Sequence, residues 1–331
     1  MARKRADPEE PVSVWSEKDL LNSEIVDALV IILRSRGCYW SRQSGCLMCG
    51  YNNDCLGTVT AENLVKQFEK AMEKYSGQEY IKIYTSGSFL DPREIEPEAR
   101  DRILEMAGGK ARKVLCESRP EFVSRSNMEP ALAHVKELEI AVGLETANDD
   151  IRARCINKGF QYADFESACN TAREMNASIR TYLLLKPPYL TEGSAITDVI
   201  ESVKIAGPLC QTISVNPMNV QRRTAVESLW KRGLYRPPWL WSLVKVLEEG
   251  SRLTDTRLIS APSGGGSRRG VHNCGECDEA ILKAVETFSL GGAGPDAFKG
   301  LNCVCREHWQ DYLDIEPLMG TTGDLERLSP P

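Results

Sequence analysis

Six short β-branched runs alternate with helical segments along most of this chain, and that alternation constrains its fold more than any other feature. The runs are ALVIIL (28–33), YIKIYT (80–85), RKVLCE (112–117), ELEIAVGLE (137–145), SIRTYLLL (178–185) and QTISVNP (211–217). Between them stand AENLVKQFEKAMEKY (61–75), IEPEARDRILEMA (95–107), YADFESACNTAREMNA (162–177) and EGSAITDVIESVKIAG (192–207). In the first of these, Leu64, Phe68, Ala71 and Tyr75 recur at helical spacing. Strands separated by helices pair in parallel through right-handed crossovers. Six units fall short of a closed eight-stranded barrel, so the pattern predicts an α/β fold, a partial (β/α)6 barrel of the TIM type. In parallel architectures the site is built from loops at the carboxyl ends of the strands.

Directly after the first run comes GCYWSRQSGCLMCGYNNDC (37–55), which holds four of the chain's twelve cysteines. A disulfide framework suits small secreted domains, whereas 331 residues, 42% of them hydrophobic, can bury a large core unaided. The basic start MARKRADPEEP has no apolar stretch behind it, and no apolar run reaches about 18 residues, so neither a signal peptide nor a membrane span is expected. These features predict a cytoplasmic protein with no membrane partner, in a reducing compartment where clustered thiols mean metal or catalysis.

Cys38, Cys46 and Cys49 form C-x7-C-x2-C. Three thiolates from one loop can hold three irons of a [4Fe–4S] cluster and leave the fourth open to a small chelating ligand. Gly37, Ser41, Ser44, Gly45 and Gly50 are small enough to let the backbone curl around it. Two other readings stand beside this one: Cys55 as a fourth ligand of a closed electron-transfer cluster, and a zinc site made by the same thiols. Cys116, Cys155, Cys169 and Cys210 lie in apolar or helical contexts and read as small buried hydrophobes. His134 reads as structural, and Trp239 and Trp241 as core at the start of an amphipathic helix.

The formal net charge of −6 gives no overall attraction to nucleic acid. Between Asn219 and Arg236, however, five bases (Arg222, Arg223, Lys231, Arg232, Arg236) face one acid, Glu227. That stretch is either a phosphate-binding surface or a solvated helix face.

Composition breaks at SAPSGGGSRRGVHNCGEC, a linker pattern. The expected organisation is an N-terminal extension (1–24), the partial barrel (25–261) and a small cysteine-rich C-terminal domain (262–331). In the last, Cys274 and Cys277 form C-x2-C, and Cys303 and Cys305 form C-x-C about 25 residues further on. Four thiolates suit a closed tetrahedral zinc site, with His272 or His308 as possible substitutes and an auxiliary iron–sulfur cluster as the competing reading.

A cysteine triad after the first strand of a six-unit α/β chain resembles the radical S-adenosylmethionine (SAM) superfamily. Its wide first gap resembles the elongator-type and related tRNA-modifying branches. The resemblance implies a [4Fe–4S] cluster on Cys38, Cys46 and Cys49, SAM on the open iron and Met48 near the adenine. YTSGSFLD then supplies Ser86, Gly87 and Ser88 at the SAM amino group, ESRPE supplies Glu117 and Arg119, and GLETAND supplies Glu145. Together with NPMNVQRRTAVESLW, YRPPWLW, HNCGEC and CVCREHW, these motifs resemble the family of archaeosine-synthase radical SAM subunits over roughly residues 25–310.

That family implies a lyase acting on tRNA. A partner enzyme attaches lysine to 7-cyano-7-deazaguanine in the D-loop, and an external donor supplies electrons. Asn216, Asn219, Gln221, Arg222 and Arg223 are the candidate tRNA contacts, with Arg268 and Arg269 reaching phosphate. Another radical SAM reaction on tRNA and a non-catalytic iron–sulfur or zinc module are the alternatives.

Overall fold

The computed structural model describes residues 6–319, the side chain of Met319 excepted. Eight strands follow one another in sheet order as they do in the chain. They are β1 (Ser13–Leu21), β2 (Glu24–Ile32), β3 (Tyr80–Tyr84), β4 (Lys113–Ser118), β5 (Glu137–Glu145), β6 (Ser178–Leu185), β7 (Thr212–Pro217) and β8 (Arg257–Ile259). The six expected strands are β2 to β7, and β2 through β5 and β6 through β8 pair in parallel. The fold is α/β, with four cysteines gathered in the C-terminal region.

Two strands were not anticipated. Residues 13–21, read as part of an extension, form β1, which pairs antiparallel with β2. Asn22 and Ser23 both have positive φ, +49° and +68°, which is the two-residue turn whose twist matches a right-twisted hairpin. The other is β8, only three residues long.

The principal helices are α1 (Ala61–Met72), α2 (Pro97–Gly108), α3 (Arg125–Leu132), α4 (Tyr162–Glu174), α5 (Glu192–Ala206), α6 (Ala225–Lys231), α7 (Leu240–Gly250), α8 (Asp278–Ser289) and α9 (Cys305–Ile315). Helix α1 buries Leu64, Phe68 and Ala71, as the spacing requires, and starts at Thr60, whose hydroxyl accepts the Asn63 amide in a capping box. Helix α7 buries Trp241, Leu243, Val244 and Leu247, so Trp241 belongs to the core. Cys116, Cys155, Cys169 and Cys210 are all buried. Among the described residues no helix is long and apolar enough to cross a membrane.

The chain divides into two compact units interleaved in sequence. Among the described residues the first comprises 6–43, 51–142 and 163–179, and the second 44–50, 143–162 and 180–319. In the first unit one sheet face carries buried charge. Lys82 Nζ lies 2.5 Å from Glu17 and 2.6 Å from Asp19, and Glu139 takes Lys113 and the Tyr80 hydroxyl, each at 2.5 Å. In the second, the tail is joined to β8 and α7. Arg257 donates to the Ser289 carbonyl, Ser289 Oγ accepts the Ser260 amide, and Trp309 Nε1 donates to Ser242 Oγ.

Candidate active site and four-cysteine centre

In the first unit the loops after β2, β3 and β4 meet. Past β2 the chain reaches Ser35, fully buried, then Gly37 and the half-exposed thiol of Cys38. The Cys38 carbonyl accepts the Ser41 hydroxyl at 2.6 Å, starting the single helical turn Tyr39–Gln43. After β3, Ser86 Oγ donates to Asn52 Oδ1 at 3.0 Å. The amides of Gly87 and Ser88 both donate to Glu94, at 3.1 and 2.7 Å. Gly87 is required here by space, because a Cβ would stand 2.8 Å from Cys38 and closer still to Glu94.

After β4, the Glu117 carbonyl accepts the Phe89 amide, and the Arg119 amide donates to Ser88 Oγ at 3.0 Å. Arg119 is 5% exposed. Its guanidinium donates to Glu121 at 2.6 Å and lies over the rings of Tyr39 and Trp40. Ser86, Gly87, Ser88, Glu117 and Arg119 therefore share one edge with Cys38. Cys55 lies nearby, where a Cβ on Gly37 would stand 3.1 Å from its Sγ. Burial pushes that thiol up.

The second unit holds the remainder of the cysteine loop, Ser44–Gly50. Asn157, in the left-handed conformation at φ +59°, donates to Ser44 Oγ at 2.7 Å and to the Gly45 carbonyl at 2.8 Å. The Leu47 amide donates to the Ile156 carbonyl, and the Leu47 carbonyl accepts the Ala225 amide. The Cys49 amide closes a turn on the Cys46 carbonyl at 3.2 Å. Cys46, Met48 and Cys49 are half-exposed. The Gly50 amide donates to Gln221 Oε1, and a Cβ on Gly50 would stand 2.8 Å from Gln221. Gln221 thus braces the cysteine loop.

Glu145 ends β5 at φ +67°, 7% exposed, and takes Lys158 Nζ at 2.5 Å. Asn216 accepts the Ser214 hydroxyl, and Asn219 lies beside Gly264. Arg222 and Arg223 are exposed. Arg269 is engaged within the chain, donating to Glu227 at 2.8 Å and to the Val220 carbonyl at 2.9 Å over the Trp230 ring. Asn157, Lys158 and Glu94 were missed from sequence, since nothing in their local pattern marks them.

The tail brings Cys274, Cys277, Cys303 and Cys305 together, their sulfurs all within 4.8 Å of one another. The separations Cys274–Cys277, Cys274–Cys303 and Cys277–Cys305 are 4.0, 3.6 and 3.6 Å. A tetrahedral ion with metal–sulfur bonds of about 2.3 Å has edges of roughly 3.8 Å, so these residues fit a single metal ion. Cys277 accepts Asn273 Nδ2 at 3.3 Å and Cys305 accepts Trp241 Nε1 at 3.2 Å, the outer bonds that orient ligands. Burial pushes the Cys277 and Cys305 thiols up. Neither histidine joins the group: His272 Nδ1 is spent on the Gly270 carbonyl, and His308 is exposed.

The strand–helix order is shared with the solved structure of Elp3 from Methanocaldococcus infernus, at a TM-score of 0.52 and 15% identity, over 73% of this chain and 60% of that one. This is a likeness of fold. No family model matches the chain. It is 42% identical over 325 residues to archaeosine synthase subunit beta of Methanosarcina acetivorans, covering 96% of this chain and 94% of that protein. To the subunit of the same name from Thermococcus kodakarensis it is 39% identical over 317 residues, or 92% and 97% of the two chains. The chain belongs to the archaeosine synthase subunit beta family.

Proposed function

We propose that this chain is the radical-forming lyase of archaeosine synthesis. It cleaves the carbon–nitrogen bond of a lysine adduct of 7-cyano-7-deazaguanine in the D-loop of archaeal tRNA, leaving the formamidine of archaeosine. The carrying observation is the 42% identity to an archaeosine synthase subunit across nearly the whole of both chains, which spans the cysteine loop and the tail. A partner subunit supplies the lysine adduct, and an external donor supplies the electron.

Cys38, Cys46 and Cys49 would hold a [4Fe–4S] cluster. Support comes from the donor set: three half-exposed thiols from one glycine-rich loop. When bound, the cluster and SAM would supply the radical chemistry that acts on the lysyl side chain. The protein's own residues bind and shield. Ser86, Gly87, Ser88, Glu117, Arg119, Glu145 and Met48 are the SAM contacts in this reading, and Asn216, Asn219, Gln221, Arg222 and Arg223 serve the tRNA. Gln221 also holds the Gly50 amide and so couples the tRNA segment to the cysteine loop. A carbon radical is quenched by stray thiols, and of the other barrel cysteines Cys116, Cys155, Cys169 and Cys210 are buried while Cys55 is half-exposed. The four-cysteine centre is read as a closed zinc site that holds the tail.

The test is anaerobic reconstitution with SAM, a reductant and tRNA bearing the lysine adduct, followed by nucleoside mass spectrometry. The expected result is 5′-deoxyadenosine together with loss of the lysine-bearing nucleoside. 5′-Deoxyadenosine with no change in that nucleoside would indicate another radical SAM reaction on tRNA, and none at all a non-catalytic metal module. Elemental analysis of the same preparation should give one zinc beside the irons. Extra iron without zinc would make the tail an auxiliary cluster.

A further inference from the structure

We infer that Glu94 is a positioning residue for SAM, fixing the Ser86–Ser88 turn against the start of the cysteine loop. The inference rests on the radical SAM reading above and adds a residue that no motif marks. Glu94 is 1% exposed. Its two oxygens collect three neutral donors: Ser35 Oγ at 2.5 Å and the Gly87 amide at 3.1 Å on Oε1, and the Ser88 amide at 2.7 Å on Oε2. Ser35 Oγ in turn accepts the amide of Gly37 at 3.1 Å, one residue before Cys38. A single carboxylate therefore ties the loop after β2 to the turn after β3. The Ser88 hydroxyl extends the chain of bonds to the Arg119 amide after β4.

Burying a carboxylate among neutral donors is costly, and an apolar side chain would fill the same volume at less expense. The carboxylate does what an apolar group cannot. It accepts two consecutive amides and a hydroxyl at once, which sets the position of the turn in three directions. That position is tight, because the room beside Gly87 is too small for one methyl group between Cys38 and Glu94. A ligand chelated beside Cys38 while touching this turn will register any shift of the turn as lost affinity, whereas thiolate ligation of iron will not.

The experiment uses the full chain, reconstituted anaerobically, with SAM affinity measured by equilibrium dialysis and iron measured separately. Glu94→Gln retains one acceptor oxygen and faces the remaining donors with an amide. It should hold iron at the parent's level yet bind SAM roughly tenfold more weakly. Ser35→Ala, which keeps both amide bonds, should weaken SAM by a smaller factor at equal iron. In metal-free protein, amide hydrogen exchange at Gly87 and Ser88 should quicken in Glu94→Gln. Affinity within about twofold of the parent at equal iron would overturn the inference. If Glu94→Gln does not fold, unchanged SAM affinity in Ser35→Ala overturns it instead. A parent protein that takes up iron but binds no SAM would overturn the radical SAM reading and this inference with it. Loss confined to the variants leaves that reading standing.

Discussion

Replacing Lys186 with methionine tests how the C-terminal segment is held to the strand ends of its unit. Lys186 directly follows β6, is 2% exposed, and lies 2.7 Å from Glu192 Oε2 and 3.3 Å from Glu316 Oε1. The rings of Tyr235 and Tyr312 face its ammonium at 5.9 and 5.3 Å. Glu192 and Glu316 are 1% and 8% exposed, so two buried carboxylates pair with Lys186, and the Arg236 charge also acts on Glu192. Among the described residues their other hydrogen-bond partners are neutral. Glu192 Oε1 accepts the Trp239 amide and the Ser242 hydroxyl, and Glu316 accepts the Tyr312 hydroxyl and the Glu192 amide.

Methionine keeps the length and apolar contacts of the lysine and removes only the charge. A swap conserving volume costs less than about 1.5 kcal/mol, whereas stranding a buried charge costs ~3–5 kcal/mol. The second effect dominates, and in a chain of this size it lowers the melting temperature by on the order of 10 °C. Burial works to lower the Lys186 pKa, but Glu192 and Glu316 outweigh it and the net shift is upward. The pair's contribution is therefore complete below the usual lysine value of 10.5 and is lost only as pH rises beyond it. The difference between parent and variant should accordingly be flat from neutrality to about pH 9. Denaturant unfolding of parent, Lys186→Met and Lys186→Met/Glu316→Gln measures it, and the double variant should recover part of the loss. A Lys186→Met penalty below about 1 kcal/mol, with no recovery in the double variant, would refute the argument.

Three further outcomes are expected. Cys46→Ala should lose the charge-transfer absorption and all SAM cleavage while Cys55→Ala keeps both, as anaerobic absorption spectra and 5′-deoxyadenosine assays will show. Substituting Arg222 and Arg223 by alanine should weaken tRNA binding and reduce the slope of log affinity against log salt by about one per lost phosphate contact; an unchanged slope returns both residues to a solvated surface. Asp198 accepts the Thr146 hydroxyl at 2.7 Å, its Oδ2 has no partner among the described residues, and burial pushes its pKa from 3.8 up to about 6. Its protonated form thus favours folding below about 3.8, and that advantage is lost as pH rises through about 6. Asp198→Asn should gain ~1–2 kcal/mol at about pH 8 and nothing near pH 4, read from urea midpoints at the two pH values.

What the sequence disclosed and what it withheld follow from how far apart the partners lie. Runs such as ALVIIL carry their burial in their own composition, so β2 to β7 and the long helices were legible. Strand β1 was not, because SVWSEKDLL presents Glu17 and Asp19 as though to solvent, and their partner Lys82 lies more than sixty residues away in a run that otherwise reads as apolar. The same division runs through the site. Thiolates are the usual soft ligands, so Cys38, Cys46, Cys49 and the four tail cysteines stand out by type and spacing as candidate ligands, and the four in the tail lie together. The groups that hold those loops need only the right geometry. Asn157 reaches Gly45 across 112 residues, Gln221 reaches Gly50 across 171 and Glu94 reaches Ser35 across 59. An asparagine, a glutamine and a glutamate at such distances look like any polar residue in a loop. Candidate chemistry was therefore readable from residue type, while the placement of the loops that would carry it became visible only once the chain had folded.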